Sequence, residues 1–149
     1  MSDLDPVNRR LLAELHRDPR ISMSALAREV GMSAPAVTER VQRMRETGVI
    51  TGFRMEVDPA ALGLPVMAFA RVRPAPGQLQ RIAELARSLE QVSECHRITG
   101  EDCFLVKVHA QAIEDLEAVL DRFLLYGQTV SSIVVSTPVP PRPLPLPAD

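Results

Sequence analysis

The stretch Ile21–Ile50, ISMSALAREVGMSAPAVTERVQRMRETGVI, decides how the chain is read. Its spacing predicts two short helices joined by a tight turn. Ser22 and Ser33 stand where a side-chain oxygen accepts from the backbone N–H groups that a first helical turn leaves unpaired. Between them Gly31, Met32 and Ser33 make a compact corner, because glycine lets a chain leave a helix through a left-handed conformation. Pro35 falls in the first turn of the second helix, where its missing N–H costs nothing. Val37, Val41 and Met44 recur at helical spacing and form one inward stripe, which turns Thr38, Glu39, Gln42, Arg43 and Glu46 outward. Gly48 ends the helix. Amide, hydroxyl and guanidinium groups near the start of such a helix suit a DNA major groove, with arginine for phosphate. A plain helical hairpin with a solvated face has the same spacing, so the flanking sequence has to decide between them.

On the N-terminal side, Leu4 to Arg17 is predicted to be an amphipathic helix with Leu4, Val7, Leu11 and Leu15 on one side, Leu12 widening the stripe and Pro6 in its first turn. It supplies the third helix that the hairpin needs. After the break at Asp18, Pro19 and Arg20, the residues Ile21, Leu26, Val30, Val37, Val41, Met44 and Ile50 complete a small core. A three-helix unit of this size is marginal alone. On the C-terminal side, Val49 to Val57, VITGFRMEV, shifts toward a period of two with Gly52 interrupting. It reads as a wing beside DNA or as a linker strand. The linker is favoured, because Asp58, Pro59 and a short helical stretch from Ala60 to Leu62, closed by Gly63, follow at once.

Beyond the linker the periods alternate. Strands are predicted at Val66–Val72, Val92–Thr99, Cys103–Ala110 and Val130–Thr137. Helices are predicted at Gln78–Leu89, with Leu79, Ile82, Leu85, Ala86 and Leu89 inward, and at Ile113–Leu125, with Leu116, Val119, Leu120 and Phe123 inward. The order βαββαβ makes a four-stranded antiparallel sheet with both helices on one face, the ferredoxin-like arrangement. Its other face still carries apolar residues, and burying that face against a second subunit is the simple solution. A homodimer is therefore expected. The ending PVPPRPLPLPAD favours extended polyproline II and cannot stay in a sheet, so it is expected to lie across a neighbouring subunit or in solvent. The fold class is α+β, divided into a helix-turn-helix domain (1–50), a linker strand and hinge (51–64), a ferredoxin-like domain (65–138) and a Pro-rich tail (139–149).

Composition narrows the partners. The net charge is −2 over 149 residues, and residues 1–58 hold nine arginines against nine acidic residues. Neither offers a general attraction to DNA, so a single copy should bind weakly and an oligomer presenting several copies is expected. Trp is absent and Tyr126 is the only tyrosine, which argues against a stacking platform for single strands. Cys95 and Cys103 make neither a disulfide framework nor, with three scattered histidines, a metal site. No cofactor is implied. No signal peptide or membrane-spanning run is evident, and a cytoplasmic location is expected.

The segments LDPVNRRLLAELHRDPRIS, LAREVGMSAPAVTERVQRM, GVITGF and ECHRITGEDCFLVKV together resemble the Lrp/AsnC, or feast/famine, regulators of bacteria and archaea. The likeness runs from Leu4 to about Val135. It implies an N-terminal winged-type helix-turn-helix and a C-terminal ligand-sensing domain that dimerises, assembles further into tetramers or octamers, and adjusts transcription in response to amino acids. The family's recognition helix falls on Ala34–Thr47. That implies double-stranded DNA contacts from Ser33, Ala34, Pro35, Ala36, Thr38, Glu39, Arg40, Gln42 and Arg43, with Arg40 close enough to the inward stripe to support the helix as well. Where relatives commonly carry Leu then Glu, this chain has Met44 and Arg45.

The family's effector loop, usually Gly-Asp-aromatic-Asp, is Gly100, Glu101, Asp102, Cys103 here. The resemblance implies an effector site of Thr99, Gly100, Glu101, Asp102 and Cys103, with Ser132 on the last strand as a further lining residue. Gly100 permits a close backbone turn, and a carboxylate can accept an amino acid's ammonium. The second acid of the pattern is replaced by Cys103, which bears on which effector is taken. Two other classes of function share this outline. Haem-pathway decarboxylases are similar over both domains and would use His16, His96 or His109, but the chain lacks the cluster of histidines and basic residues that several propionates need. An architectural DNA-packaging protein would need a more basic N-terminal half. A regulator with no catalytic residues is the reading that fits.

Overall fold

The computed structural model describes residues 4–146. Its first helix, α1 (Pro6–Arg17), begins at Pro6 rather than Leu4, because Asp5 is its cap: the carboxylate accepts from the Asn8 N–H at 2.7 Å. The hairpin follows as the sequence predicts. In α2 (Met23–Val30), Ser22 caps at Ala25 N–H, 3.1 Å, and in α3 (Ala34–Glu46) Ser33 caps at Ala36 N–H, 3.4 Å. Gly31 leaves α2 at φ 70°, a conformation that a residue with a Cβ rarely adopts. Leu11, Leu12, Leu15, Leu26, Ala27, Val30, Val37, Val41 and Met44 are buried as one cluster, and Leu4, Val7, Ile21 and Ile50 pack against it.

The wing or linker strand expected within 49–57 does not form inside one chain. Residues 51–58 have no ladder partner, and Phe53, Met55 and Val57 are 51%, 83% and 45% exposed. A strand is a set of hydrogen bonds to a neighbour, and its alternating pattern has no effect where no neighbour is present. The short helical turn does form, at Pro59–Leu62, capped by Asp58 and closed by Gly63 at φ 76°.

The rest of the chain forms β1 (Val66–Pro74), α4 (Leu79–Ser88), β2 (Val92–Arg97), β3 (Phe104–Ala110), α5 (Ile113–Leu124) and β4 (Gly127–Ile133). The sheet is antiparallel in the order β2-β3-β1-β4, the ferredoxin-like topology. Ala68, Ala70 and Val72 of β1 and Phe104, Val106, Val108 and Ala110 of β3 alternate into a core with Ile82, Ala86, Leu89, Leu116, Val119 and Phe123. The inward face of α4 is narrower than its periodicity suggests, since Leu79 at the first turn is 38% exposed. The last strand starts three residues and ends four residues earlier than expected. Gly127 starts it because a Cβ there would meet the Arg73 carbonyl oxygen at 2.2 Å, so the approach of β4 to β1 is possible only at glycine. The last ladder pair of β4 is Ile133 with Ala68, followed by one more bond from the Val134 N–H to the Met67 carbonyl at 2.8 Å.

The contacts divide the chain into a unit of residues 56–138 and a unit that joins residues up to Met55 with the tail from Val139. The tail thus does not simply lie in solvent. Leu146 packs on the helical core, and Pro143 lies in the groove lined by Leu12, Leu15 and residues 49–54. A Pro-rich segment has little conformational freedom to lose, which makes it a suitable strap along an apolar groove.

Candidate DNA-reading helix and effector loop

On α3 the stripe Val37, Val41 and Met44 is buried, and the burial pattern turns Pro35, Thr38, Glu39, Gln42, Arg43, Arg45 and Glu46 to solvent. Ser33, Ala34, Pro35 and Ala36 form the N-terminal turn, where unpaired N–H groups point outward and favour anions. Thr38 returns its hydroxyl to the Ala34 carbonyl at 2.8 Å, and the Gln42 amide donates to Glu46 at 2.9 Å. Both bonds are exposed and exchange readily for a base edge or a phosphate. Arg43 is exposed and holds no partner among the described residues. Arg40 is used differently. Its guanidinium donates to the Asp5 carboxylate at 2.6 Å and to the Asn8 side-chain oxygen at 3.0 Å, tying α3 to the cap of α1. The Asn8 N–H, followed by the Arg40 guanidinium, holds the Asp5 carboxyl below its ordinary range. Of the nine residues that the family resemblance places against DNA, Arg40 is the one whose charge is spent inside the unit.

The sequence pattern alone did not reveal this tie. The signal was available in the Asp5-Pro6 pair, a capping residue followed by a proline suited to the first helical position, which fixes where α1 begins and hence what Arg40 can reach.

The effector loop is the connection between β2 and β3. The Ile98 N–H donates to the Cys103 carbonyl at 2.9 Å and closes the turn Thr99-Gly100-Glu101-Asp102. Gly100 sits at φ 103° with open space where a Cβ would project. The thiol of Cys103 points to the carbonyls of Gly100 and Glu101 at 3.9 and 3.8 Å. It thus steadies the loop. The carboxylates meet two arginines that the sequence pattern did not single out. Arg71 and Arg73 alternate on the helix-free face of β1; Arg73 pairs with Glu101 and stands 3.7 Å from Asp102, and Arg71 stands 3.5 Å from Asp102. Two arginines at a spacing of two on one strand were the available clue. Ser132 does not join this group within one chain. It pairs with Phe69, roughly 13 Å of strand away from the Arg73 register at about 3.3 Å per residue. Gln128 is the residue opposite Arg73.

The histidines do not converge. His16 belongs to α1 in the helical unit, while His96 and His109 lie four register positions apart along β3, opposite Leu105 and Met67 respectively. His96 stands 3.3 Å from Glu94, whose carboxylate also accepts from Lys107 at 3.0 Å. Lys107 and then His96 hold the Glu94 carboxyl below its ordinary range. Burial pushes the His109 imidazole down, and its Nδ1 has no hydrogen-bond partner among the described residues. Among those residues no group of three His, Cys, Asp or Glu side chains is placed to hold a metal, and no helix is long and apolar enough to cross a membrane.

Two family models match the chain: the AsnC-type helix-turn-helix domain over residues 4–45 and the Lrp/AsnC ligand binding domain over residues 67–144. The HTH-type transcriptional regulator LrpC of Bacillus subtilis is 32% identical, covering 89% of this chain and 92% of that protein. Its solved structure superposes with a TM-score of 0.85. The regulator AldR of Mycolicibacterium smegmatis is 37% identical over 91% of this chain and 78% of its own length. A feast or famine regulatory protein from M. tuberculosis, solved in complex with L-methionine, gives a TM-score of 0.87 at 30% identity and covers 95% of this chain and 98% of that one. These relatives are named regulators, which sets aside the decarboxylase reading. With both halves matched in the family's own order, the chain belongs to the Lrp/AsnC family of transcriptional regulators and is not an enzyme.

Proposed function

We propose that this regulator reads specific double-stranded DNA sites through α3 and that an α-amino acid at the Thr99–Cys103 loop changes its DNA binding or its assembly. The observation that carries the effector half is the loop itself: an open turn at Gly100 beside two carboxylates and two arginines, the charges a zwitterion needs. The M. tuberculosis relative complexed with L-methionine supports an amino acid as the class. For DNA, Ser33, Ala34, Pro35 and Ala36 meet the backbone, Arg43 meets phosphate, and Thr38, Glu39 and Gln42 face bases, while Arg40 holds the helix in place. The protein acts in the cytoplasm.

The apolar part of the helix-free sheet face, around Phe69 and Val130 at 37% and 52% exposure, is the surface that a second copy covers, which leaves the Arg73 end of β1 beside the loop open to the effector. The homodimer so formed presents two recognition helices to neighbouring half-sites and offsets the neutral charge of each helical unit. Assembly to tetramers or octamers brings Ser132 of one copy toward the loop of another. A thermal-shift screen of the full chain against the twenty amino acids, followed by promoter-DNA anisotropy with and without the strongest binder, tests the proposal. One or a few amino acids should raise the melting temperature and move the DNA isotherm. A flat screen together with unaltered DNA binding would remove the effector from the account and leave a ligand-independent DNA-binding protein.

A further inference from the structure

We propose that Arg73 is the carboxylate-binding residue of the effector site, that Asp102 is its ammonium acceptor, and that Glu101 occupies Arg73 as an internal stand-in until the amino acid arrives. The inference rests on the loop being the effector site and adds which group takes which end of the ligand, and in what order.

The assignment follows from how the four charges are spent. Arg73 makes its hydrogen bond to Glu101, whose side chain is 80% exposed and touches no other charged group among the described residues. Such a pair is held by one exposed contact and opens at little cost. Asp102 is different. Its side chain is only 26% exposed, and it stands between Arg71 and Arg73 at 3.5 and 3.7 Å, distances at which it is held electrostatically but accepts no hydrogen bond. Its acceptor lone pairs are therefore available to a donor. A zwitterion fits this arrangement with no net change of charge. Its carboxylate displaces that of Glu101 from the planar fork of Arg73, and its ammonium donates to Asp102. Glu101 swings into water, to which it is already exposed. Arg71 stays as the second cation that holds Asp102 in place. Gly100, with nothing within 4 Å of its Cβ position, leaves room for the ligand's Cα.

The arrangement gives opposite signs for two neighbouring acids, which a merely structural loop would not do. Glu101→Gln removes the internal competitor and should tighten amino-acid binding several-fold. Asp102→Asn and Arg73→Ala should each weaken it about 10- to 100-fold, the range for losing a hydrogen bond to a charged group. Arg73→Lys keeps the charge without the fork and should fall between Arg73→Ala and wild type.

The experiment is calorimetry on the full chain with the twenty standard L-amino acids, and, for the one that binds wild type most tightly, with its carboxamide and its deamino acid. The melting temperature of the sheet unit, read by calorimetry on each variant without ligand, verifies that it is folded, since Arg73, Glu101 and Asp102 all belong to that unit. The expected result is that the carboxamide and the deamino acid both bind at least 10-fold more weakly than the amino acid, that Glu101→Gln binds more tightly and that Arg73→Ala binds more weakly. If an amino acid binds but Arg73→Ala or the carboxamide matches wild type, the assignment of Arg73 is overturned and the effector reading stands. Weaker binding in Glu101→Gln overturns the stand-in role. Binding of none of the twenty amino acids overturns both the assignment and the reading beneath it.

Discussion

The outward face of α3 and the loop after β2 hold their charges in opposite ways, and under the proposed function both hold them for a partner that is not always present. On α3 the arginine that points out, Arg43, is left to water, and the bonds of Thr38 and Gln42 stay within the helix. At the loop, Glu101 and Arg73 occupy each other, and Asp102 lies between two arginines. The difference follows from the partners. DNA is a polyanion that any free cation attracts, and a helix held rigid by its own core needs no further preparation. A small zwitterion has to be selected, and a site that already carries one carboxylate on its arginine admits only a ligand that replaces it. On the proposed function the recognition face is preformed and the effector site is gated by its own residues.

Breaking the two cores separately probes this comparison with the largest expected effect. The helical and sheet clusters share no buried residue, so each should melt as its own transition. Leu11→Ala is expected to cost the helical unit about 2–5 kcal/mol and Phe123→Ala to cost the sheet unit about 3–5 kcal/mol. Differential scanning calorimetry should show the lower-melting transition change identity between the two variants. A single transition moved equally by both would mean that the units are not independent.

A smaller effect is expected where α3 is anchored. Asp5→Ala removes both the α1 cap and the partner of Arg40, and should cost about 1–2 kcal/mol in the helical unit. Urea denaturation monitored by α-helical circular dichroism measures it. Removal of the chain after Pro138 takes away the Leu146 contact and should cost the same unit about 1 kcal/mol, since only part of a leucine's burial is lost. A truncated protein with unchanged helical stability would show that the strap carries no energy.

Acid should separate the two units by the smallest margin. The folded His109 imidazole is pushed below its ordinary value by burial, so as pH falls below about 6.5 the unfolded chain takes up a proton that the folded sheet unit resists. Stability of the sheet unit should decline from there downward. The lowered Asp5 carboxyl contributes stability that is complete at neutral pH and is lost only as pH drops below about 4. Melting temperatures followed from pH 7 to pH 4 should fall first in the sheet unit, and His109→Gln should remove that early loss.

Much of this was legible in the sequence because it is local. Ser22, Gly31, Ser33 and Pro35 each act on the backbone within four residues, and the alternation of Ala68, Ala70 and Val72 sets their faces without reference to any partner strand. What pattern alone did not convey depends on distant neighbours. The alternation in VITGFRMEV is real, but strand formation needs a ladder that one chain does not supply. The start of β4 is displaced because Gly127 serves a close approach to Arg73 from across the sheet, a contact that no local pattern shows. At the candidate site, the loop is marked only by its resemblance to a family, and the two arginines beside it give no signal because a charge on an exposed strand face usually does no more than meet solvent. Their meaning emerged only when the register brought β1 beside the loop.

The central claim, that DNA reading and effector sensing reside in separate and differently prepared sites, is tested most directly by a crossed titration. Arg43→Ala and Arg73→Ala are each titrated with promoter DNA at several salt concentrations and with the amino acid that binds wild type. The account predicts that Arg43→Ala lowers DNA affinity and reduces the salt slope by about one while binding the amino acid like wild type. Arg73→Ala should bind DNA like wild type in the absence of ligand and lose the response to the amino acid. Loss of both activities in either variant, or an Arg43→Ala isotherm that matches wild type at every salt concentration, would contradict it.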